Sequence, residues 1–229
     1  AQRTASAVRE AMFRATDHLL NMDPEAAARE CLALRALPEG EVPGAFCLSL
    51  ATLARAEDRD DPAPELDRFL AQVTEVIAAA EARERARPED AELKLLLGLA
   101  HGSKALADGA RQNYVAGFQA VREAQRRFSE ALRLDPGLVD ALYGIGLYHY
   151  ALGRLPTLDQ PLVSIVLPKA DAAQGLQEIE RVAAQGTYLK MTAKLALLRL
   201  YAGQEEKYPE ALRHGRELLG RYPGNPEIY

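Results

Sequence analysis

The feature that most constrains this chain is a phrase that occurs twice. Pro88, Leu97-Gly98-Leu99 and His101 return as Pro136, Ile145-Gly146-Leu147 and His149, a shift of 48 positions from 88 to 136. Between the copies, residues 117 to 134 carry Phe118, Val121, Ala124, Phe128 and Ala131-Leu132. Gaps of three and four put these side chains on one face of an α-helix, turned toward a neighbour. Asp135-Pro136-Gly137 stops that helix, because Pro cannot continue the hydrogen-bond ladder and Gly turns cheaply. A second helix restarts at once, with Leu138, Ala141-Leu142, Ile145, Tyr148 and Leu152 on one face. Gly144 and Gly146 sit inside it, each costing about 1 kcal/mol against Ala in a helix interior. That cost makes sense where another helix must approach the backbone closely.

These residues resemble a known family. Ala124, Phe128, Ala131 and Pro136 look like the second helix of a tetratricopeptide (TPR) repeat and the proline that closes it. Leu142, Ile145-Gly146 and Tyr148-His149-Tyr150 are similar to the first helix of the next repeat. The family period is about 34 residues, so a shift of 48 leaves roughly 14 to accommodate. Helices lengthened by about two turns each and broken at Asp108-Gly109 are expected, with a loop insertion as the alternative. A looser third copy runs from Leu195 through Tyr201 and Ala211 to Pro223, with Gly215 in the place of the large aromatic. The resemblance implies an all-α fold: a right-handed superhelical stack of antiparallel helix pairs, about ten helices in all. The expected organisation is one TPR-like helical repeat domain over 1–229. Divergent helix pairs occupy 1–87, the best-matching repeats 88–153, an apolar insert 154–169 and divergent repeats 170–229.

Taken in order, residues 4 to 21 predict a helix with Val8, Met12-Phe13 and Leu19-Leu20 inward. Asp23-Pro24 opens a second, since Asp caps well and Pro suits the first turn. A third follows Pro43, and a fourth runs from Glu65 to about Arg87. Its end, from Glu81 to Arg87, alternates in charge and reads as a solvated face. The run Glu57-Asp58-Arg59-Asp60-Asp61 reads as a solvated connector rather than an acidic docking site. Helices are expected again at 170–185, 187–202 and 206–221. The segment Pro161-Leu162-Val163-Ser164-Ile165-Val166-Leu167-Pro168 is too apolar for a free loop. It is expected either as core, where Val, Ile and Leu usually lie, or as a docking patch of Leu162, Val163, Ile165 and Val166. This segment, ending in Leu-Pro, with Gly175-Leu176 after it, is also similar to the eukaryotic TPR family linked to mitochondrial inclusion-body clearance. That similarity implies an adaptor-like role.

Composition narrows the function. A net charge of −5 argues against a nucleic-acid surface, which ordinarily needs a basic excess. No run approaches the roughly 20 apolar residues that span a bilayer. The Ala-Gln start fits either cleavage of a secretory signal or a trimmed boundary, so a bacterial periplasmic or envelope location is favoured over the cytoplasm. The end, Pro223 to Tyr229, reads as the opening of another helix.

The search for chemistry returns little. There is no GxSxG, Walker loop, GxGxxG, HExxH or CxxC, so no catalysis and no cofactor are expected. His101 and His149 hold equivalent repeat positions and invite a packed, hydrogen-bonded pair. Two histidines with a carboxylate would suit zinc, but no carboxylate close in sequence completes the set, and no metal is expected. Cys31 and Cys47 flank the turn between two helices, placed either to bridge in an oxidising compartment or to be buried as small apolar residues. The repeat resemblance puts Asp140, Tyr143, Leu147 and Tyr150 on the groove face of a first helix. Tyrosines there serve recognition equally well as packing. The family's clamp for a chaperone's C-terminal carboxylate needs Lys and Asn where Tyr143 and Leu147 stand, so that ligand is not expected. The leading expectation is a non-catalytic scaffold binding a protein or peptide of unknown identity. The alternative is a small-molecule or lipid carrier with an internal apolar cavity.

Overall fold

The structure, a computed structural model, describes residues 2–57, 59–154 and 171–229. Ten α-helices and no strand occur among the described residues. They are α1 (Gln2–Leu20), α2 (Pro24–Arg35), α3 (Glu41–Glu57), α4 (Ala63–Ala86), α5 (Ala91–Ala110), α6 (Tyr114–Leu134), α7 (Leu142–Gly153), α8 (Ala172–Gln185), α9 (Lys190–Arg199) and α10 (Tyr208–Arg221). Short helical turns precede α7 (Val139–Ala141), extend α9 (Leu200–Gln204) and follow α10 (Pro226–Ile228).

Local chemistry sets most starts. Asp23, Asp90 and Asp171 each accept a hydrogen bond from a first-turn N–H of α2, α5 and α8, satisfying a donor that the helix leaves unpaired. Pro43 lies inside the first turn of α3 rather than before it, where its missing N–H costs nothing. Helix α5 runs through Asp108-Gly109 and ends at Ala110; the chain then turns at Gln112 with φ of 60°. At 20 and 21 residues, α5 and α6 are both long.

Each helix packs on the next in sequence, and the core is a relay of overlapping clusters. Val8, Ala11, Cys31 and Leu34 join α1, α2 and α3. Phe69, Val73 and Leu97 join α3, α4 and α5. Phe128, Ala131 and Leu138 continue through α6, and Ile179, Val182 and Leu197 through α7 to α10. The last cluster sets Leu20 of α1 beside Leu218, Tyr222 and Ile228. The two ends of the described chain therefore touch. The Tyr222 hydroxyl donates to Asp17 at 2.6 Å, and buried Asn225 donates to the Leu20 carbonyl at 2.8 Å. The segment from Pro223 to Tyr229, expected to open a further helix, holds one short turn and packs on α1 in this way.

Two close approaches explain the helix glycines. Phe128 of α6 is slotted between Gly98 and Gly144: a Cβ on Gly98 would stand 2.6 Å from its ring, and one on Gly144 nearer still. Gly146 of α7 faces Gly175 of α8, where a Cβ on Gly146 would stand 2.8 Å from the Gly175 carbonyl oxygen. The costs read from the sequence at Gly144 and Gly146 are thus offset by backbone contact that no larger residue permits.

Candidate functional site

Of the expected groove residues, Asp140 and Tyr150 are buried, while Tyr143 and Leu147 are half-buried. Asp140 is buried and fully used: its carboxylate accepts from the backbone N–H groups of Thr187, Tyr188 and Leu189 at 2.9, 2.7 and 2.6 Å. It fastens the α8–α9 turn and has no free face for a partner. Tyr150 is buried, and its hydroxyl donates to Glu205 at 2.9 Å; burial pushes the phenol up to about 12. Tyr143 and Leu147 pack against the α7–α10 cluster. The Gly146–Gly175 contact brings α8 so close that the surrounding side chains of α7 are buried or half-buried. Leu162, Val163, Ile165 and Val166 lie outside the described residues.

Cys31 and Cys47 are joined by a disulfide, with Cα atoms 5.5 Å apart. It ties α2 to α3 in the first core cluster.

A charged cluster that sequence reading missed lies between α4, α5 and α6. Arg127, 5% exposed, donates from Nε to Glu123 at 2.9 Å, reaches Glu81 at 3.4 Å and bonds Glu84. Lys94 bridges Glu84 and Glu130, the latter at 2.9 Å. Burial opposes the charge on Glu84, yet hydrogen bonds from Lys94 and Arg127 hold its pKa below the usual carboxylate value. The hydrogen bond from Arg126 takes Glu123 down to about 2. His101 lies beside them, and burial pushes its imidazole down to about 4. The end of α4, expected as a solvated face, is thus committed. Glu81 and Glu84 go to Arg127, while Arg83 and Arg87 bind Glu39 of the α2–α3 turn. Alternating charge looks alike in both settings; only the buried arginine on another helix distinguishes them. The histidines also diverge, since His149 Nδ1 sits 2.7 Å from Glu178 on α8.

A second polar group gathers near the C-terminal end. Glu180 accepts from Tyr201 at 3.0 Å and Arg213 at 2.6 Å, and lies 3.1 Å from Nε2 of buried His214. Burial lowers the His214 pKa against the pull of Glu180. Glu180, Arg213 and His214 border an open cleft of about 180 Å³ with Lys194 and Glu217. A second cleft, about 230 Å³, opens where α1 meets α9 and α10, between Phe13, Tyr188, Met191 and Arg221. Neither has the enclosed apolar form expected of a lipid carrier.

One group of exposed apolar side chains is at the far end of the α5–α6 hairpin; Leu32, Tyr208, Leu212, Leu219 and Tyr229 are exposed elsewhere. Leu106, Tyr114 and Val115 are 74, 70 and 73% exposed, and Phe118 is 43% exposed. Phe118 heads the stripe expected to pack, but the buried face of α6 runs through Gly117, Ala120, Ala124 and Phe128, and Phe118 stands beside it. At Gly117, one position earlier, a Cβ would make only ordinary contact, 3.4 Å from the Ala105 carbonyl oxygen and 3.6 Å from the Asp108 side chain.

No protein-family model matches this chain, and no curated protein matches it. None of the described helices is long and apolar enough to cross a membrane.

Proposed function

We propose that this chain is a non-catalytic interaction module, a TPR-like right-handed stack of helix pairs, that docks a protein partner on the tip of the α5–α6 hairpin. The observation that carries this reading is the exposure of Leu106, Tyr114, Val115 and Phe118 at one end of two long helices. Apolar side chains grouped in water mark interaction surfaces more often than chance. Tyr and Phe are also the side chains that supply contact area at low entropic cost. The partner fitted by this chemistry presents an apolar face, as an amphipathic helix does. The burial of Asp140 and Tyr150 favours the tip over the groove as the docking surface.

The test is capture by the wild-type chain and by a Leu106→Ser, Val115→Ser, Phe118→Ser variant, with captured proteins identified by mass spectrometry. A protein held by the wild type and lost by the variant, at equal melting temperature, supports the reading. Equal capture by both chains removes it.

A further inference from the structure

Glu81 of α4, His101 of α5 and Glu123 of α6 each offer one ligand atom, and these three atoms lie within 4.8 Å of one another. The Nε2 atom of His101 is buried and has no hydrogen-bond partner among the described residues. Such a nitrogen is rare in a folded protein, where buried polar atoms are almost always paired. The surrounding cluster carries a slight acidic excess. Glu81, Glu84, Glu123 and Glu130 stand against Lys94, Arg126 and Arg127, four negative charges to three positive. Lys104, the other cation near His101, is held by Asp108 at 2.5 Å.

We propose that Glu81, His101 and Glu123 bind a divalent first-row transition ion of the zinc type, with water completing its coordination. One imidazole and two carboxylates are ordinary ligands for such an ion. A tetrahedral site with bonds near 2.0–2.1 Å sets its ligand atoms about 3.3 Å apart, so the three side chains need only draw inward. Arg127 retains Glu84 while they do so. Arg126 is half exposed and already reaches Glu130 at 2.6 Å, so it releases Glu123 without losing its own partner. The ion would join three successive helices at the base of the hairpin.

The test uses the untagged 229-residue chain, stripped with EDTA and titrated with Co²⁺ as a visible-absorbing stand-in for Zn²⁺. The expected result is one Co²⁺ per chain, with d–d bands that Zn²⁺ abolishes. His101→Ala should weaken binding by about tenfold or more, since even groups one step removed from a metal cost that much. Glu81→Gln should do the same, and Glu81 is 40% exposed, so this variant keeps its fold if His101→Ala does not. Circular dichroism confirms that each tested chain is folded. Absence of Co²⁺ bands in the folded wild type overturns the proposal. So does equal binding by wild type and the folded variants, which would assign the ion to His149–Glu178 or His214–Glu180.

Discussion

The two ends of the α5–α6 hairpin are built from the same pair of helices and treated in opposite ways. At the base, Phe128 fills the slot between Gly98 and Gly144, and Arg127 is enclosed by carboxylates from α4 and α6. At the tip, Leu106, Tyr114, Val115 and Phe118 face water, and a Cβ on Gly102 or Gly109 would meet nothing within 4 Å. Gly98 and Gly102 make the contrast sharpest. They are four residues apart on one helix, hence on one face, yet one is jammed and the other is free. Helix propensity is the same at both ends; the neighbours differ. Helix α4 follows α5 to the tip, where Asp67 meets Arg111 at 2.9 Å and Ala107 is buried with Leu66 and Phe69, so the contrast lies in which faces of the hairpin find a neighbour.

The comparison is most severely tested at Arg127. Removing a buried cation leaves its carboxylates facing each other, so Arg127→Ala should cost about 3–5 kcal/mol. Urea unfolding measures this, and a loss under 1 kcal/mol would mean that the base is solvated like the tip. Next comes Gly98→Ala, expected to cost about 1–3 kcal/mol by overpacking against Phe128. The ring cannot retreat, because Gly144 closes its other side. An unchanged midpoint would show that the slot is loose.

The same substitution one turn along should reverse sign. Gly102→Ala meets no neighbour and no positive φ, so it should stabilise by about 0.4–1 kcal/mol through helix propensity and a less flexible unfolded chain. Destabilisation in thermal melts would reveal a hidden neighbour at the tip. The smallest change is expected from Leu106→Ser with Val115→Ser, within about 0.5 kcal/mol, as for exposed positions generally. A larger loss would make these side chains part of the core and end their candidacy as a docking surface.

Acidity at the C-terminal polar cluster supplies a check in a different region. Burial lowers the His214 pKa in the folded chain despite Glu180, with Arg213 and Lys194 adding to the lowering. The unfolded chain then binds the proton first as pH falls, so stability should drop below the ordinary histidine value of about 6.5. His214→Gln should reduce that slope in melts taken across this range. An unaltered slope would place the pH dependence elsewhere.

What the sequence determined by itself was local. Apolar spacing at three and four residues, aspartates before helix starts, and proline after α6 reported the helices, because these signals act within a turn or two of the chain. Gly144 and Gly146 were legible as close approaches because their cost in a helix is visible without knowing the neighbour. The all-α class followed from the same signals.

Tertiary structure decided how each polar or apolar face was used. Asp140 looked like a groove residue because its position in the repeat suggested one, but three N–H groups 47 to 49 residues away claim it. Glu81 and Glu84 looked solvated because alternating charge usually is, but Arg127, more than 40 residues on, takes both. Phe118 looked packed because it continues the stripe of Phe128, but here the face of α6 that meets a neighbour is that of Gly117 and Ala120. The contact between Asp17 and Tyr222 joins residues 205 apart, which no local pattern encodes. The reason is common to all four. Periodicity says which face of a helix is apolar or charged, while the occupant of that face is set by where distant helices come to rest.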